Sequence, residues 1–282
     1  MRRPFSISKR VFKALNYRLR GALRLPPRSD AETSYHLQRL QAKMPRFSRG
    51  EFLFSFGRLH FVDVLSLACQ FDDIFMRRVY DFTANSYSPR IIDCGGNVGL
   101  SVIWFKQRYP QSKITVFEAD PTIAQVLEQN LKSVRPDDVE IVKAAAWMAG
   151  GTVQFAPDGA DGGRVCRSNY LREVPAVRLA DLITGSVDLL KMDIEGAEFD
   201  VLADLCATGK IRQVRRLICE VHNRDANCLN VSELLTALSQ NGFKICFSHA
   251  RPAPDLTGQP QLTPFPAVAD GRFLLELYAW QE

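Results

Sequence analysis

The chain has 282 residues, of which 46% are hydrophobic and 24% charged, and its formal net charge is +5 at pH 7. This composition is that of an ordinary globular protein. No run approaches the roughly 18 apolar residues that a membrane span needs, so we expect no transmembrane helix. The 7 cysteines are odd in number and lack zinc-type spacing, which favours reduced thiols and a cytoplasmic location.

The first 30 residues concentrate the positive charge. They contain nine Lys or Arg and one acid, Asp30, which gives 9 − 1 = +8. Apolar residues recur near helical spacing between positions 5 and 25, which predicts a basic amphipathic helix. This helix can pack on the protein body with its basic face in water, contact an anionic membrane surface peripherally, or attract an acidic partner.

Residues 31–88 form a second region, which we interpret as a helical cover over the domain that follows. An extended piece is predicted at 52–56, with helices around 62–82. The aromatic residues of this region can line a pocket, although such residues more often fill a core.

Residues 89–282 alternate short apolar runs with helical periodicity, which is typical of βαβ units around a parallel sheet. The predicted strands are 90–94, 113–118, 139–144, 187–192 and 216–221. The predicted helices are 100–108, 122–133, 197–206 and 231–241. A hairpin strand at 151–155 and a loop over 156–172 interrupt the alternation, and strands at 243–247 and 272–279 close the sheet as an antiparallel pair. These elements predict an α/β, Rossmann-like fold with a mostly parallel seven-stranded sheet, helices on both faces and an N-terminal helical extension.

A glycine-rich turn follows the first of these strands, with Asp93 at the strand end and Gly95, Asn97 and Gly99 in the turn. Glycine lets a backbone turn tightly and approach a ligand. An acid is poorly suited to the pyrophosphate that a G-x-G-x-x-G loop binds. Asp93 suits a cofactor whose amino-acid end carries an ammonium group beside a sulfonium cation, and the Asn97 amide can bind the same end.

The second strand ends at Glu118, 19 residues after Gly99. A carboxylate there can accept hydrogen bonds from both hydroxyls of a ribose, a role shared by nucleotide-binding folds. Alone, Glu118 can also be a solvated acid at a strand end.

Three acids follow the fourth strand: Asp193, Glu195 and Glu198. Ligands of open α/β sheets bind beyond the carboxyl ends of the strands, where these residues lie. The acids can orient a hydroxyl acceptor, hold a divalent cation, or cap the next helix. One strand end does not supply a countable ligand set, so the sequence assigns no metal-binding residue.

The fifth strand places Glu220 and His222 on one face by its two-residue period. Both are predicted to lie at the same sheet edge as Asp193. The unperturbed pKa of an imidazole suits removal of a proton from an acceptor hydroxyl near neutral pH, so His222 is a candidate base. The alternative is a half-exposed residue hydrogen-bonded to Glu220.

Taken in order, the segments D-C-G-G-N-V-G at 93–99, V-F-E-A-D at 116–120 and L-K-M-D-I-E-G-A-E at 190–198 resemble the FkbM family of methyltransferases. The resemblance covers about 90–221 and is most specific in D-I-E-G-A-E. It implies a class I methyltransferase fold, S-adenosylmethionine as cofactor, and O-methylation.

The resemblance also implies roles for individual positions. Asp93, Gly95, Asn97 and Gly99 would contact the methionine end of the cofactor, and Glu118 its ribose. The adenine edge would fall on residues 143–146, which include Ala144 and Ala145, and Asp193 would face cofactor or substrate. One departure is Ala119-Asp120, where members usually have Pro followed by another residue; Ala119 lies beside the ribose acid.

The sequence therefore predicts an S-adenosylmethionine-dependent methyltransferase that acts on a hydroxyl of a small molecule or glycan. The predicted catalytic residues are Asp193, Glu195, Glu220 and His222. A non-catalytic protein that keeps the fold is the alternative. An NAD-dependent oxidoreductase is disfavoured by the glycine pattern and Asp93, and nucleic-acid methylation by the absence of an N/D-P-P-aromatic tetrad after the fourth strand.

Overall fold

The computed structural model describes residues 14, 17–19, 23, 25–160, 162–165, 171–223, 228–252 and 273–282. The basic helix predicted between positions 5 and 25 therefore lies almost entirely outside the described residues. Within the described part, no helix combines the length and the apolarity needed to cross a membrane.

A seven-stranded sheet forms the centre of the molecule. Its strands, in chain order, are β3 (Arg90–Cys94), β4 (Lys113–Phe117), β5 (Val139–Val142), β10 (Leu189–Met192), β11 (Arg216–Asn223), β12 (Lys244–Pro252) and β13 (Phe273–Trp280). The spatial order is β12-β13-β11-β10-β3-β4-β5. The five strands from β11 to β5 are parallel, and β13 pairs antiparallel with both β11 and β12. This confirms the predicted mostly parallel sheet and its antiparallel closing pair.

Successive residues of the central strands enter two different cores, which shows that both faces of the sheet are covered. Ile91 and Leu189 pack in the core with helices α3 (Leu100–Arg108) and α4 (Pro121–Val134). Their chain neighbours Ile92 and Leu190 pack in the other core. The helices there are α5 (Leu179–Leu182), α6 (Glu198–Ala207) and α7 (Cys228–Gln240).

Local sequence fixes where the helices begin. The side chain of Asp120 accepts hydrogen bonds from the backbone N–H groups of Thr122 and Ile123, and Pro121 occupies the first helical position of α4. A short acid before a proline is a favoured N-terminus, because the acid accepts from the unpaired N–H groups of the first turn and the proline has no N–H to leave unpaired. Asp120, the second residue of the departure from the family pattern, thus serves as the cap of α4.

A second, four-stranded sheet lies beside the first. It contains β6 (Ala145–Trp147), β7 (Gly151–Ala156), β8 (Arg164–Val165) and β9 (Arg172–Arg178), in the order β6-β9-β7-β8. The hairpin strand predicted at 151–155 is β7. Strand β9 was not predicted because Pro175 normally argues against a strand interior. Pro175 lies opposite Thr152 of β7, and on its other side the pairing of β9 with β6 begins only at Ala176.

The cover region is a helix, a hairpin and a second helical segment. Helix α1 spans Asp30–Gln41, strands β1 (Gly50–Phe54) and β2 (Gly57–Phe61) pair antiparallel, and helix α2 covers Val64–Phe71. The predicted extended piece at 52–56 is therefore part of a two-stranded hairpin. A π-helical turn, Asp72–Arg77, continues α2.

Asn130 joins the hairpin to the parallel-sheet domain. Its Oδ1 accepts a hydrogen bond from His60 N at 2.7 Å, and its Nδ2 donates to His60 O and to Val98 O, each at 2.9 Å. The side chain is fully buried. Three backbone groups therefore depend on one buried amide.

Replacing Asn130 by Asp should lower the free energy of unfolding by about 2–4 kcal/mol, because a carboxylate can accept from His60 N but cannot donate to the two carbonyls. Urea unfolding followed by circular dichroism measures the change. Gln125→Ala, on the exposed face of the same helix, is the matched control and should stay within about 0.5 kcal/mol of the parent. Equal stability of Asn130→Asp and the parent would show that the amide does not carry the junction.

Candidate active site

A cavity opens beyond the carboxyl ends of the central strands, between β3 and β10. The chain runs from β3 outward to β4 and β5, then returns to β10 on the other side of β3. Such a reversal of strand order is where open α/β sheets bind their ligands. The cavity walls include residues of the glycine turn, the ends of β4 and β10, the second sheet, and the cover region: Gly95, Asn97, Glu118, Ala144, Asp193, Glu195, Phe155, Val165, Gln70, Ile74 and Tyr80.

The glycine turn lies directly against the end of β10. Gly95 has φ +89°, and a Cβ built on it would lie 1.9 Å from the backbone oxygen of Asp193. Gly99 has φ +98° and begins helix α3. Glycine is required at 95 because no side chain fits between the two crossing backbones. The turn thus places the Asp193 loop directly against the end of β3 at the cavity.

Beneath the turn, Asp93 and Lys191 form a buried ion pair. They are direct partners in the register of the neighbouring parallel strands, and Lys191 Nζ lies 3.3 Å from Asp93 Oδ1. Asp93 Oδ2 accepts a hydrogen bond from Ser101 Oγ at 2.6 Å. Lys191 Nζ also donates to Gly95 O at 2.5 Å. The ammonium group therefore contacts β3, β10 and the glycine turn at once.

Lys191 keeps its charge although it is only 2% exposed. Burial acts to lower its pKa, but Asp93, Tyr80 and Asp193 outweigh burial and raise the pKa above the ordinary value. The ammonium lies 5.4 Å from the centre of the Tyr80 ring, within cation–π range. Tyr80 comes from the cover region, so this contact joins the cover to the floor of the site.

Glu118 forms the wall at the end of β4. Its Oε2 accepts from Asn97 N and its Oε1 from Asp120 N, each at 2.9 Å. Burial raises the pKa of Glu118 to about 7, and the two N–H donors limit that rise. The carboxylate is thus fixed in orientation while one face of it remains at the cavity.

Small side chains line the cavity next to Glu118. Ala119, Ala144 and Ala145 are all on its wall. Because a methyl group projects little, these positions leave room for a flat ring against the end of β5 and the start of β6. Ala160 and Gly163, from the loop predicted over 156–172, line the same cavity.

Asp193 and Glu195 form the opposite wall. Their side chains are 28% and 16% exposed. Glu195 has a left-handed backbone, φ +60°, a conformation that costs a non-glycine residue about 1–3 kcal/mol and occurs preferentially at functional sites. The buried Glu198 carboxylate holds this loop, accepting from the backbone N–H groups of Ile194 and Gly196 at 2.9 Å each.

His222 lies behind these carboxylates. Its Nδ1 is 3.0 Å from Glu198 Oε1, and its Nε2 is 3.4 Å from Glu195 Oε2 and 3.9 Å from Asp193 Oδ1. Burial acts to lower the pKa of His222, but the Glu198 charge and hydrogen bond, with Asp193, raise the pKa to about 9. In this arrangement the imidazole carries a proton at neutral pH.

The structure brings most of the predicted site residues to one cavity. Among the described residues that line it are Gly95, Asn97, Glu118, Ala119, Ala144, Ala145, Asp193 and Glu195. Asp93 is buried below the turn with Lys191, and Gly99 begins the following helix. His222 contacts the cavity wall from behind. Glu220 lies in β11 on the same strand face as His222, but it is not one of the cavity-lining residues.

Lys191 and Tyr80 were not predicted as site residues. Lys191 could have been predicted from its place inside an apolar strand, because a lysine is almost never buried unless it is paired with an acid. Tyr80 carried no distinctive signal, since its place over Lys191 depends on how the cover packs.

The place of the cavity and the acid at the end of the neighbouring strand are typical of α/β enzymes that bind a cofactor containing a nucleoside. A family model described as "Methyltransferase FkbM domain" matches residues 93–245, more than half of the chain. The chain therefore belongs to the FkbM methyltransferase family, as the sequence motifs predict. The match begins at Asp93 and includes every predicted site residue.

Individual relatives are more distant. "Methyltransferase 1" of Beauveria bassiana (strain ARSEF 2860) is 26% identical over 161 residues, which are 47% of this chain and 65% of that protein. "Methyltransferase sdnD" of Sordaria araneosa is 26% identical over 70% of this chain and 91% of its own length. "2-O-methyltransferase NoeI" of Sinorhizobium fredii (strain NBRC 101917 / NGR234) is 29% identical over 41% of this chain and 56% of its own length.

Replacing Lys191 by Met should lower the free energy of unfolding by roughly 3–5 kcal/mol, because the Asp93 carboxylate is then buried without its partner. The double variant Lys191→Met/Asp93→Asn should recover much of this loss, since it removes both charges. Chemical denaturation of the two single variants, the double variant and the parent gives the coupling energy.

The exposed Lys132→Met, in helix α4, is the control for loss of a lysine and should be nearly neutral. Additive effects of the two single substitutions would contradict an energetically coupled pair.

Proposed function

We propose that the protein transfers a methyl group from S-adenosylmethionine to a hydroxyl oxygen of a small molecule or glycan. The observation that carries the proposal is that one cavity has two unlike walls. One wall offers a nucleoside site, with Glu118, small alanines and the glycine turn. The other offers two carboxylates, Asp193 and Glu195, at which an acceptor hydroxyl can donate a hydrogen bond.

The residues of the first wall fit the cofactor by their chemistry. The Glu118 carboxylate would accept from the ribose hydroxyls, and Ala119, Ala144 and Ala145 would border the adenine. The turn from Gly95 to Asn97 would hold the methionine end. When bound, S-adenosylmethionine supplies an electrophilic methyl group on a positively charged sulfur, which leaves as a neutral thioether.

The second wall positions the acceptor. Asp193 and Glu195 line the cavity, so they are the groups that can receive the acceptor's hydroxyl proton or hydrogen bond. His222 and Glu198 hold these two carboxylates in place from behind. Glu220, at the same sheet edge, stays a catalytic candidate on the strength of the sequence alone. Because the leaving group is already activated, alignment of the oxygen with the methyl carbon contributes most to the rate.

An oxygen acceptor is supported by the relative named as a 2-O-methyltransferase and by this carboxylate wall. A cytoplasmic location, with peripheral membrane contact by the basic residues 1–30, completes the proposal; it rests on the charge pattern of the sequence.

S-adenosylhomocysteine should bind the purified protein in a 1:1 ratio in isothermal titration, and Glu118→Ala should weaken binding by at least about tenfold through loss of the ribose acceptor. Glu140→Gln, an exposed acid of neighbouring β5, is the control and should leave binding unchanged. A folded parent protein that does not bind S-adenosylhomocysteine contradicts the proposed cofactor.

The affinity should also depend on pH. With its pKa raised to about 7, Glu118 is ionised in roughly one tenth of molecules at pH 6 and nine tenths at pH 8. Because the ionised form accepts the ribose hydrogen bonds, the dissociation constant should fall up to about tenfold over this range. Glu118→Gln should bind weakly and without this pH dependence. A flat profile for the parent would mean that the acid is already ionised or does not contact the ribose.

The acceptor class can be tested with S-adenosylmethionine labelled in the methyl group. Offered free sugars, oligosaccharides, hydroxylated small molecules and RNA, the protein should label an organic hydroxyl, and the label should resist mild alkali as an ether does. Label released by alkali would indicate a carboxyl ester, and label in RNA would indicate a nucleic-acid acceptor; either result contradicts the proposed reaction.

A further inference from the structure

We propose that Asp193, Glu195 and His222 bind a divalent metal ion at the acceptor wall of the cavity. One ligand atom from each of these residues lies within 4.8 Å of the other two. The proposal deepens the proposed function, because it assigns a cation to the wall that would receive the acceptor hydroxyl.

The hydrogen bonds of Glu198 decide which nitrogen of His222 faces the site. Both Glu198 oxygens accept from backbone N–H groups, Oε1 from Ile194 and Oε2 from Gly196. A buried carboxylate held by two N–H donors and an imidazole is an acceptor only, so the His222 Nδ1 at 3.0 Å must be the donor. A histidine held in this way by a carboxylate presents its other nitrogen, Nε2, as a ligand.

Nε2 points toward two more acceptors. It lies 3.4 Å from Glu195 Oε2 and 3.9 Å from Asp193 Oδ1. In the metal-free protein a proton on Nε2 lies between these oxygens, and a divalent cation would displace that proton and take its place among the three ligand atoms. Ligand atoms on adjacent corners of a coordination shell are roughly 3–3.5 Å apart when each bond is about 2.1 Å. The two distances from His222 Nε2 are close to this spacing, and the two carboxylate oxygens lie within 4.8 Å of each other.

The ligand set also limits the kind of metal. Carboxylate oxygens favour magnesium, calcium and manganese, while an imidazole favours borderline transition metals. Two carboxylates with one imidazole therefore fit Mn²⁺ best, and we expect Mg²⁺ to bind more weakly. Three protein ligands leave open positions, where an acceptor hydroxyl could coordinate and lose its proton more readily.

The backbone around these residues holds the three ligands at fixed positions. Glu195 is in a left-handed conformation within the loop that Glu198 closes, and His222 is 4% exposed in a central strand. Metal binding therefore requires little ordering of side chains, and the site lies at the cavity and not on an open surface.

The experiment uses the full chain, stripped of metal with EDTA and dialysed, with MnCl₂ as the probe. Free Mn²⁺ gives a six-line electron paramagnetic resonance signal that disappears on binding. We expect saturable binding of one Mn²⁺ per chain. Three-pulse electron spin echo spectra of the bound ion should show modulation from a directly coordinated nitrogen.

Variants identify the ligands. His222→Gln should remove the nitrogen modulation, and Asp193→Asn and Glu195→Gln should each weaken Mn²⁺ binding at least tenfold. Glu198→Gln should weaken it about 10–100-fold by releasing His222 from its fixed orientation. Asp200→Asn removes an exposed acid of the same helix as Glu198 and should bind Mn²⁺ like the parent.

Circular dichroism checks that each variant is folded, and Glu195→Gln keeps the test valid if the buried His222→Gln does not fold, because Glu195 is partly exposed. Absence of saturable Mn²⁺ binding by the parent overturns the proposal. So does binding without nitrogen modulation, or binding that survives both carboxylate substitutions, since the metal would then lie elsewhere.

Titration with S-adenosylhomocysteine separates this result from the proposed function. Binding of S-adenosylhomocysteine without binding of Mn²⁺ would contradict the metal site alone. Binding of Mn²⁺ without binding of S-adenosylhomocysteine would support the metal site and contradict the proposed cofactor.

Discussion

The buried pair of Asp93 and Lys191 is the interaction on which the rest of the site depends. It joins two strands whose sequence positions are almost a hundred residues apart, and it does so at the point where the strand order reverses. The lysine also binds the carbonyl of Gly95. Removing such charges from water costs several kcal/mol per ion, which only close pairing and hydrogen bonding can offset. The shape of the glycine turn and the separation of β3 from β10 are therefore set together.

The two walls of the cavity are held in place on either side of this junction. The turn passes so close to the Asp193 backbone that only glycine fits at 95, which fixes the distance between the glycine turn and the Asp193 loop. Glu118 then holds the far end of the turn through Asn97 N, and Glu198 holds the loop of Asp193 and Glu195. Each wall is thus fixed by a buried carboxylate that accepts backbone N–H groups.

Much of this arrangement could be predicted from the sequence. Short apolar runs ending in glycine or acids located the parallel strands, and the rule that ligands bind at their carboxyl ends placed Glu118, Asp193 and Glu195 at one edge. What the sequence could not supply depends on contacts between distant segments. The charge state of His222 reflects three carboxylates around it, and burial of Lys191 requires that β3 and β10 be neighbours. Strand β9 contains a proline that only its partial pairing makes acceptable.

The cover region has a consequence for how this enzyme can diversify. Gln70, Ile74 and Tyr80 line the cavity, yet all three precede the segment that matches the family model, which begins at 93. The residues proposed to hold the nucleoside and these three cavity residues are thus encoded in different stretches of the chain. Substitutions in α2, or between α2 and β3, can therefore change which molecules enter the cavity while Glu118 and the glycine turn stay as they are.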